Sequence, residues 1–197
     1  MNLYKNNQEN SAELKDQSNK DEDFVLIQAF IDGKENAFTS LVQKHKDKVR
    51  NLVYLTLGDV DYIDDISQDV FISVFNNINE FRFESKFTTW LYRITINKCK
   101  DYIRKRKVRN IFVPIDDEPK GGFSLHPENI DIPNLVRKSI EKLPDNLKVP
   151  LILRDIEGFS YKEIADQLKC EVGTIKSRIF RARESLKIIL EPFQKDL

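Results

Sequence analysis

The sequence is poor in several residue types, and each shortage excludes a class of protein. Six glycines in 197 residues are too few for a turn-rich β sandwich. The two cysteines, Cys99 and Cys170, are far apart and belong to no CxxC or Cys/His pattern, so neither a disulfide framework nor a zinc site is predicted. Free thiols fit a reducing compartment, and a cytoplasmic location is expected.

Long apolar runs are also missing. No stretch approaches the roughly 20 residues that span a bilayer. The polar start MNLYKNNQEN lacks the apolar core of a signal peptide. The sequence therefore predicts a soluble protein with no stable membrane insertion.

Charge is abundant instead, at 32% of residues, beside 40% hydrophobic residues. This composition is typical of helical proteins that bury a modest core under a charged surface. The formal net charge is zero. The charges are unevenly placed along the chain, however. The local distribution of charge, and not the net charge, indicates whether a protein binds nucleic acid.

Apolar residues recur at steps of three and four from Phe24 to about Lys107, which predicts several amphipathic helices. Residues 1–20 lack this period and are predicted to be a polar disordered extension. Residues 110–133 are rich in proline, glycine and acid, as linkers often are. The predicted fold is all-α, with two small helical domains, residues 21–109 and 134–197, joined by a flexible linker.

The most specific signal is the segment GFSYKEIADQLKCEVGTIKSRIFRARESLKIIL. Ser160 and Glu163 have the spacing of a capping box, which predicts a helix that begins at about Tyr161. After a short turn a second helix is predicted, with one apolar seam along it. The seam consists of Ile175, Ile179, Ala182, Leu186 and Ile189. This pair of helices predicts a helix-turn-helix.

The face opposite this seam carries short hydroxyls and guanidinium groups. Such side chains contact base edges and phosphates when a helix lies in the major groove of DNA. The predicted DNA-contacting residues are Thr174, Lys176, Ser177, Arg178 and Arg181. The alternative interpretation is an ordinary solvated helix face. The aromatic residues Tyr161 and Phe180 are predicted to pack in or near the core.

A second constellation lies in FRFESKFTTWLYRITINKCKDYIRKRKVR, which has eight Lys or Arg and one acid between Arg93 and Arg109. On a helical wheel, an aromatic ring, an amide and three cations share one face. These residues are Trp90, Arg93, Asn97, Lys100 and Arg104. Rings stack on exposed bases and cations neutralise the backbone, so this face favours single-stranded nucleic acid. The alternative is that Trp90 is a core residue and that the cations solvate a helix end.

The preceding segment VDYIDDISQDVFISVF combines polar and apolar side chains. Its polar members are Asp64, Asp65, Gln68 and Asp69. Paired carboxylates can hold a metal, but His45 is distant in sequence and no second acidic set has ligand spacing. Docking of a protein partner is the preferred interpretation, and no metal site is predicted.

Together these motifs resemble the extracytoplasmic-function (ECF) sigma factors of bacterial RNA polymerase, from about Asp23 to Leu190. IDGKENAF is similar to the start of region 2, DDISQDVF to its polymerase-binding helix, and FTTWLYRITIN to its melting and minus-ten element. LPDNLKVPLILRDIEGFSYKEIADQLKCEVGTIKSRIFRARE is similar to region 4. The Pro-rich linker stands where larger sigma factors have a middle domain.

The resemblance implies an alternative sigma factor that binds core RNA polymerase and directs promoter-specific transcription initiation, with no catalytic activity and no cofactor. It implies that Asp65, Gln68 and Asp69 contact the clamp helices of the largest subunit. It also implies that Phe81 and Asn97 help capture an unstacked minus-ten base, and that region 4 binds the minus-thirty-five duplex. An anti-sigma factor is implied as a further partner.

The complete predicted sites rest on the helix faces described above and on the resemblance to the family. The predicted polymerase-binding residues are Asp64, Asp65, Gln68, Asp69 and Phe71. The predicted minus-ten and melting residues are Phe81, Trp90, Arg93, Asn97, Lys100 and Arg104. The minus-thirty-five residues are those of the second helix of the helix-turn-helix.

Four residues depart from the family pattern. Phe83 and Lys169 stand where the family often has glycine, and Glu171 replaces the usual proline or serine at the start of the recognition helix. Pro150 lies inside the predicted first helix of region 4. It removes one amide donor and is expected to kink that helix.

Two other classes of protein fit parts of the sequence. An independent regulator with a helix-turn-helix would need neither the basic aromatic helix nor the acidic docking helix, and polymerase binding distinguishes it. A metal-dependent nuclease is favoured only by the acidic cluster. A cleavage assay with and without divalent metal distinguishes that class.

Overall fold

The computed structural model describes residues 22–58, 60–112 and 132–193, and all regular elements in these ranges are helical. The predicted all-α fold is confirmed. The predicted N-terminal extension and most of the predicted linker lie outside the described residues. Within the described ranges, no helix combines the length and the apolar character that a bilayer crossing needs.

Four helices form the N-terminal unit. They are α1 (residues 22–31), α2 (Glu35–Leu57), α3 (Ile63–Asn77) and α4 (Phe87–Phe112). A 3₁₀ turn, Ile78–Glu80, follows α3. Helices α2, α3 and α4 pack against one another, and Leu41, Leu52 and Leu91 are fully buried between them. Helix α4 continues three residues into the predicted linker.

The short helix α1 is attached to α2 by buried polar contacts. The Asp23 carboxylate lies 2.9 Å from Nε2 of His45 and 2.9 Å from Nζ of Lys44. Burial alone would raise the pKa of Asp23, but the hydrogen bonds from His45 and Lys44 hold it below its ordinary value. The ionised carboxylate therefore fixes α1 against the bundle.

Four further helices form the C-terminal unit. They are α5 (Ile132–Glu141), α6 (Asp145–Leu151), α7 (Tyr161–Leu168) and α8 (Val172–Leu190). A π-helical segment, Ile152–Ile156, continues α6. Helix α8 packs on α6 and α7, and Leu153 and Ile164 are fully buried.

The predicted capping box sets the start of α7. The amide of Glu163 donates to the Ser160 hydroxyl at 3.2 Å, and the amide of Ser160 donates to the Glu163 carboxylate at 2.8 Å. Each bond satisfies an amide that has no partner within the helix. The predicted start at Tyr161 is confirmed.

Pro150 distorts the helix that contains it, as expected. It lies buried in the last turn of α6, where its missing amide hydrogen interrupts the α-helical bonding pattern. The chain then widens into the π-helical segment, and the amide of Glu157 donates to the carbonyl of Ile152 at 3.1 Å. The distortion is thus a change of helical register rather than a break.

Two of the residues that depart from the family pattern adopt left-handed backbone conformations. The φ angles are 57° at Phe83 and 53° at Lys169, and no other non-glycine residue in the described ranges has a positive φ. Lys169 is the C-cap of α7, and its amide donates to the carbonyl of Ala165. Glycine is the usual residue at such a position because an L-residue pays about 1–2 kcal/mol there.

Lys169→Gly is therefore expected to raise the free energy of unfolding by up to about 1 kcal/mol. Glycine removes the strain of the left-handed backbone in the folded state, and this gain exceeds the loss that comes from the greater conformational entropy of the unfolded chain. Urea denaturation measures the change. Lys187→Gly, inside α8, is the matched control, and it is expected to lower the stability by about 0.5–1 kcal/mol. A loss of stability at both positions would show that Lys169 is not strained.

The two units contact each other. Helix α2 packs against α5, α6 and the π-helical segment. The rings of Tyr92 in α4 and Phe159, just before α7, lie with centroids 5.7 Å apart. Buried apolar residues of both units therefore form one continuous cluster.

Candidate nucleic-acid interface

Helix α8 buries its predicted apolar seam. Ile175, Ile179 and Ala182 are at most 1% exposed, while Leu186 and Ile189 are partly buried against the same core. The predicted DNA-contacting residues lie on the remaining surface of the helix. Lys176, Ser177 and Arg181 are exposed, and Thr174 and Arg178 are half-buried.

Two contacts fix the orientation of α8 on its unit. Arg183 donates from two nitrogens to the Asp155 carboxylate, at 2.9 and 2.6 Å. Both side chains are partly exposed, so this pair orients the helix more than it stabilises it. Tyr161 lies under the cations of Arg154 and Lys176, at 4.6 and 5.8 Å from the ring centroid. It also packs against the core, as predicted.

Phe180 corrects one prediction. It was expected to pack, but 66% of its surface is exposed. It directly follows Ile179, and a rotation of about 100° per residue turns it away from the seam. Its helical neighbours at three and four residues are Ser177 and Lys176, so it belongs to the predicted DNA-facing surface. An apolar group on such a surface suits the methyl group of thymine.

The cations of α4 form an exposed stripe. Arg93, Asn97, Lys100 and Arg104 are all exposed and follow each other at steps of four, three and four. Arg104 forms an ion pair with Asp101 of the same helix at 3.1 Å. An exposed pair of this kind is weak, so a phosphate group can displace it.

The aromatic members of the predicted minus-ten site are buried instead. Trp90 is 9% exposed and Phe81 is 7% exposed. Their ring centroids lie 5.5 Å apart, and both rings contact Phe87. The ring of Phe83, whose backbone is left-handed, also packs on Phe81, with ring centroids 4.9 Å apart. The four rings form a packed cluster at the start of α4.

Trp90 is therefore buried in this structure, as the alternative interpretation of a core residue expects, and its role at the minus-ten strand stays a prediction. Trp90 lies on the same side of α4 as Asn97, as the wheel indicates, but the Phe81 ring packs against it. Asn97 lies two turns further along, at about 10 Å by the helical rise.

The predicted docking residues lie along α3. Asp65, Gln68 and Asp69 are exposed, and Phe71 is half-buried. Asp64 is exposed too, but it pairs with Arg50 of α2. Within the part of the chain that the structure describes, no three His, Cys, Asp or Glu side chains are grouped to hold a metal ion.

Two apolar residues extend this docking surface and were missed from the sequence. Ile72 and Phe75 are 50% and 51% exposed. They follow Gln68 at four and seven residues, a spacing that places all three on one helix face. The Phe75 ring contacts Phe30 and Phe38, with centroids 5.3 and 5.1 Å apart. The surface is therefore acidic at one end and apolar at the other.

Comparisons with known proteins match both units. The family model described as Sigma-70 region 2 matches residues 41–109, and that described as Sigma-70, region 4 matches residues 134–186. The ECF RNA polymerase sigma-E factor of Haemophilus influenzae is 35% identical over 184 residues, which cover 86% of this chain and 96% of the relative.

Two solved structures are similar in fold. One is the sigma factor RpoE in complex with the anti-sigma factor NepR from Bartonella quintana, with a TM-score of 0.68 and 24% identity over 78% of this chain and 96% of that chain. The other is CnrH in complex with the cytosolic domain of CnrY, with a TM-score of 0.64 and 25% identity over 87% of this chain and 98% of that chain.

Proposed function

Because the chain belongs to the ECF sigma factors of RNA polymerase, we infer that it is an alternative sigma factor, which binds core RNA polymerase and directs promoter-specific transcription initiation. The observation that carries this function is the 35% identity to a sigma-E factor over 96% of that relative. The match includes both the region 2 and the region 4 segments, in the family's order.

The partners follow from this function. They are core RNA polymerase and promoter DNA, as a duplex and as a melted strand. An anti-sigma factor is a further proposed partner, as in the RpoE complex. We place the chain in the cytoplasm, where transcription occurs, and assign it no catalysis of its own, because RNA synthesis is the chemistry of the polymerase.

We propose that three helices bind three different parts of the initiation complex. The outward residues of α8, now with Phe180, read the minus-thirty-five duplex. The cationic stripe of α4, with Asn97, binds the opened minus-ten strand. The exposed face of α3, with Ile72 and Phe75, docks on the polymerase. The exposure of these surfaces supports this assignment.

Transcription from fragmented genomic DNA by core polymerase, with and without the chain, tests the function. New start sites that share one pair of promoter elements are expected only when the chain is present. An independent regulator would instead bind duplex DNA without polymerase and would add no start sites. Such a result would overturn the proposal.

The α4 stripe gives a separate prediction. Lys100→Ala with Arg104→Ala is expected to weaken binding of all promoters and to reduce the salt slope by about 0.7 for each lost single-strand phosphate contact. Asn97→Ala is expected to change the preferred minus-ten base, because an amide bonds base edges. Titrations at several salt concentrations and a scan of minus-ten variants measure the two effects.

Lys34→Ala with Lys46→Ala removes two exposed cations of the same unit outside α4 and is the matched control. It should leave the salt slope near that of the wild type. Permanganate footprints that show normal melting in all the α4 variants would contradict the assignment of the stripe to the opened strand.

A further inference from the structure

A cavity with a volume of about 530 Å³ lies between α4, α6 and α8. Small-molecule sites usually have volumes of about 300–1,000 Å³, so this cavity has room for a ligand of modest size. Helix α4 lines it with Lys100, Arg104 and Val108, which follow each other at intervals of one turn. Helix α6 lines it with two pairs of neighbouring residues, also one turn apart. The walls are therefore faces of regular helices rather than loops.

The walls of this cavity are mostly aliphatic. The apolar wall residues are Ile103, Val108, Val149, Pro150 and Leu168. Val108 is 49% exposed, and contact between water and such a surface is unfavourable, so an apolar ligand gains free energy by covering it. Among the described residues, none of those that line the cavity carries an aromatic ring. A nucleobase, which stacks on rings, is therefore a poorer fit than an alkyl chain.

Charged side chains also line the cavity. The cations are Lys100, Arg104 and Arg178, and the acid is Asp145, so three positive charges against one negative leave a local charge of +2. Within the part of the chain that the structure describes, Lys100 and Arg178 form no ion pair. Arg104 pairs with Asp101 at 3.1 Å, but both side chains are exposed, and such a pair contributes little. All three cations can therefore bind an anionic group without breaking a buried contact.

Two uncharged polar side chains complete the lining. The Thr56 hydroxyl donates to the Leu52 carbonyl of its own helix at 2.7 Å, so its hydrogen is already used. The side-chain amide of Asn146 can donate to the oxygen atoms of an anion. Cations and an amide donor thus lie beside an aliphatic wall. This combination suits a ligand that has an anionic head and an alkyl body.

We propose that the cavity binds an amphipathic anion of the fatty-acid class. Its alkyl chain packs on the aliphatic wall, and Lys100, Arg104 and Arg178 bind its carboxylate. The bound carboxylate occupies cations that the proposed function assigns to DNA, so the ligand and DNA compete for them, and this consequence alone rests on the proposed function. Binding to the site is measured on the full chain without polymerase or promoter.

Calorimetric titration of the full chain with decanoate, below its micelle concentration, tests the site. We expect saturable binding of one decanoate per chain. Octanoate, which is two methylenes shorter, should bind about tenfold more weakly, because each buried methylene contributes a factor of about three to four. Inorganic phosphate has no alkyl chain to bury, so it should show no saturable binding at the same concentrations.

Val108→Trp fills the cavity from a position that is half-exposed, so the fold should tolerate the change. It is expected to weaken decanoate binding by about tenfold or more, which corresponds to the loss of about two buried methylenes. Val25→Trp makes the same substitution in α1, where the side chain is 62% exposed and does not line the cavity. This control should bind decanoate like the wild type. Circular dichroism verifies that both variants are folded.

Charge variants separate recognition of the carboxylate from burial of the alkyl chain. Lys100→Gln with Arg178→Gln is expected to weaken decanoate binding by about tenfold through the loss of two charge contacts. Binding of the uncharged analogue 1-decanol should stay unchanged. The control is Lys105→Gln with Lys187→Gln, which neutralises exposed cations of the same two helices outside the cavity. Asp145→Asn removes the acid of the cavity and should tighten decanoate binding by about two- to fivefold.

The proposal is overturned if the wild type shows no saturable decanoate binding, or if Val108→Trp binds decanoate as tightly as the wild type. It is also overturned if the Lys100→Gln with Arg178→Gln variant binds decanoate like its control, or if phosphate binds as tightly as decanoate. Transcription from fragmented genomic DNA tests the proposed function separately. A chain that adds start sites but binds no decanoate would lose only the ligand site, whereas a chain that binds decanoate but adds no start sites would lose only the function.

Discussion

Ile179→Ala in α8 is expected to lower the free energy of unfolding of the C-terminal unit by about 2–5 kcal/mol, because truncation of a fully buried side chain loses apolar contact and leaves a cavity. Ile179 is 1% exposed and lies in the middle of the buried seam. Denaturant unfolding measures the loss. The preference among minus-thirty-five sequences should stay unchanged in the fraction that remains folded, since Ile179 cannot reach DNA.

The outward residues of α8 are expected to behave in the opposite way. Ser177→Ala, Arg178→Ala and Arg181→Ala should change DNA binding and leave stability within about 0.5 kcal/mol, as is usual for surface positions. If an arginine donates two hydrogen bonds to a guanine, its removal should cost about 1–3 kcal/mol of binding free energy and relax the preference at that base pair. An arginine on a phosphate would weaken all sequences alike. Phe180→Ala should relax the preference at a thymine.

A scan of minus-thirty-five variants against these substitutions compares the two faces directly. Stability and base preference should change in different sets of variants, because the buried and outward faces of α8 share no residue. If Ile179→Ala alone changed the base preference while the outward substitutions were neutral, the wrong face of the helix would have been assigned to DNA.

The helix-turn-helix was predictable because its signals are local. The capping box at Ser160 and the seam through Ile175 and Ile179 depend only on residues a few positions apart, and the structure confirms both. Phe180 was assigned by residue type, since aromatic residues are often buried, whereas its position on the wheel indicated exposure. Ile72 and Phe75 follow Gln68 at four and seven residues, so local spacing would also have identified them as members of the docking surface.

The burial of Trp90 and the contact between the two units were not predictable in this way. The wheel placed Trp90 correctly on the side of Asn97, but periodicity cannot show which loop residue packs on a helix end, and here Phe81 does so. The ring contact of Tyr92 with Phe159 joins residues more than sixty positions apart. No local pattern marks a contact between residues so far apart in the sequence.

Docking on core polymerase is expected to fail when both acids of α3 are reversed. Asp65→Lys with Asp69→Lys should weaken binding by about 2–5 kcal/mol, the usual cost when one side of a desolvated charge pair is lost. Both carboxylates are exposed in the free chain, so the fold should tolerate the change. Competition with unlabelled wild-type chain for core polymerase measures the affinity.

The matched control is Asp47→Lys with Glu184→Lys, which gives the same change in net charge at exposed positions in α2 and α8. It separates the local effect at α3 from a general effect of charge on association. The apolar end of the surface should respond differently. Phe75→Ala removes a half-exposed ring and no charge, so its loss of affinity should persist at high salt, whereas the effect of Asp65 and Asp69 should shrink as salt screens the charges. If the double reversal bound core polymerase as tightly as the wild type and the control did, α3 would not be the docking helix, and the acidic face would be a solvated surface.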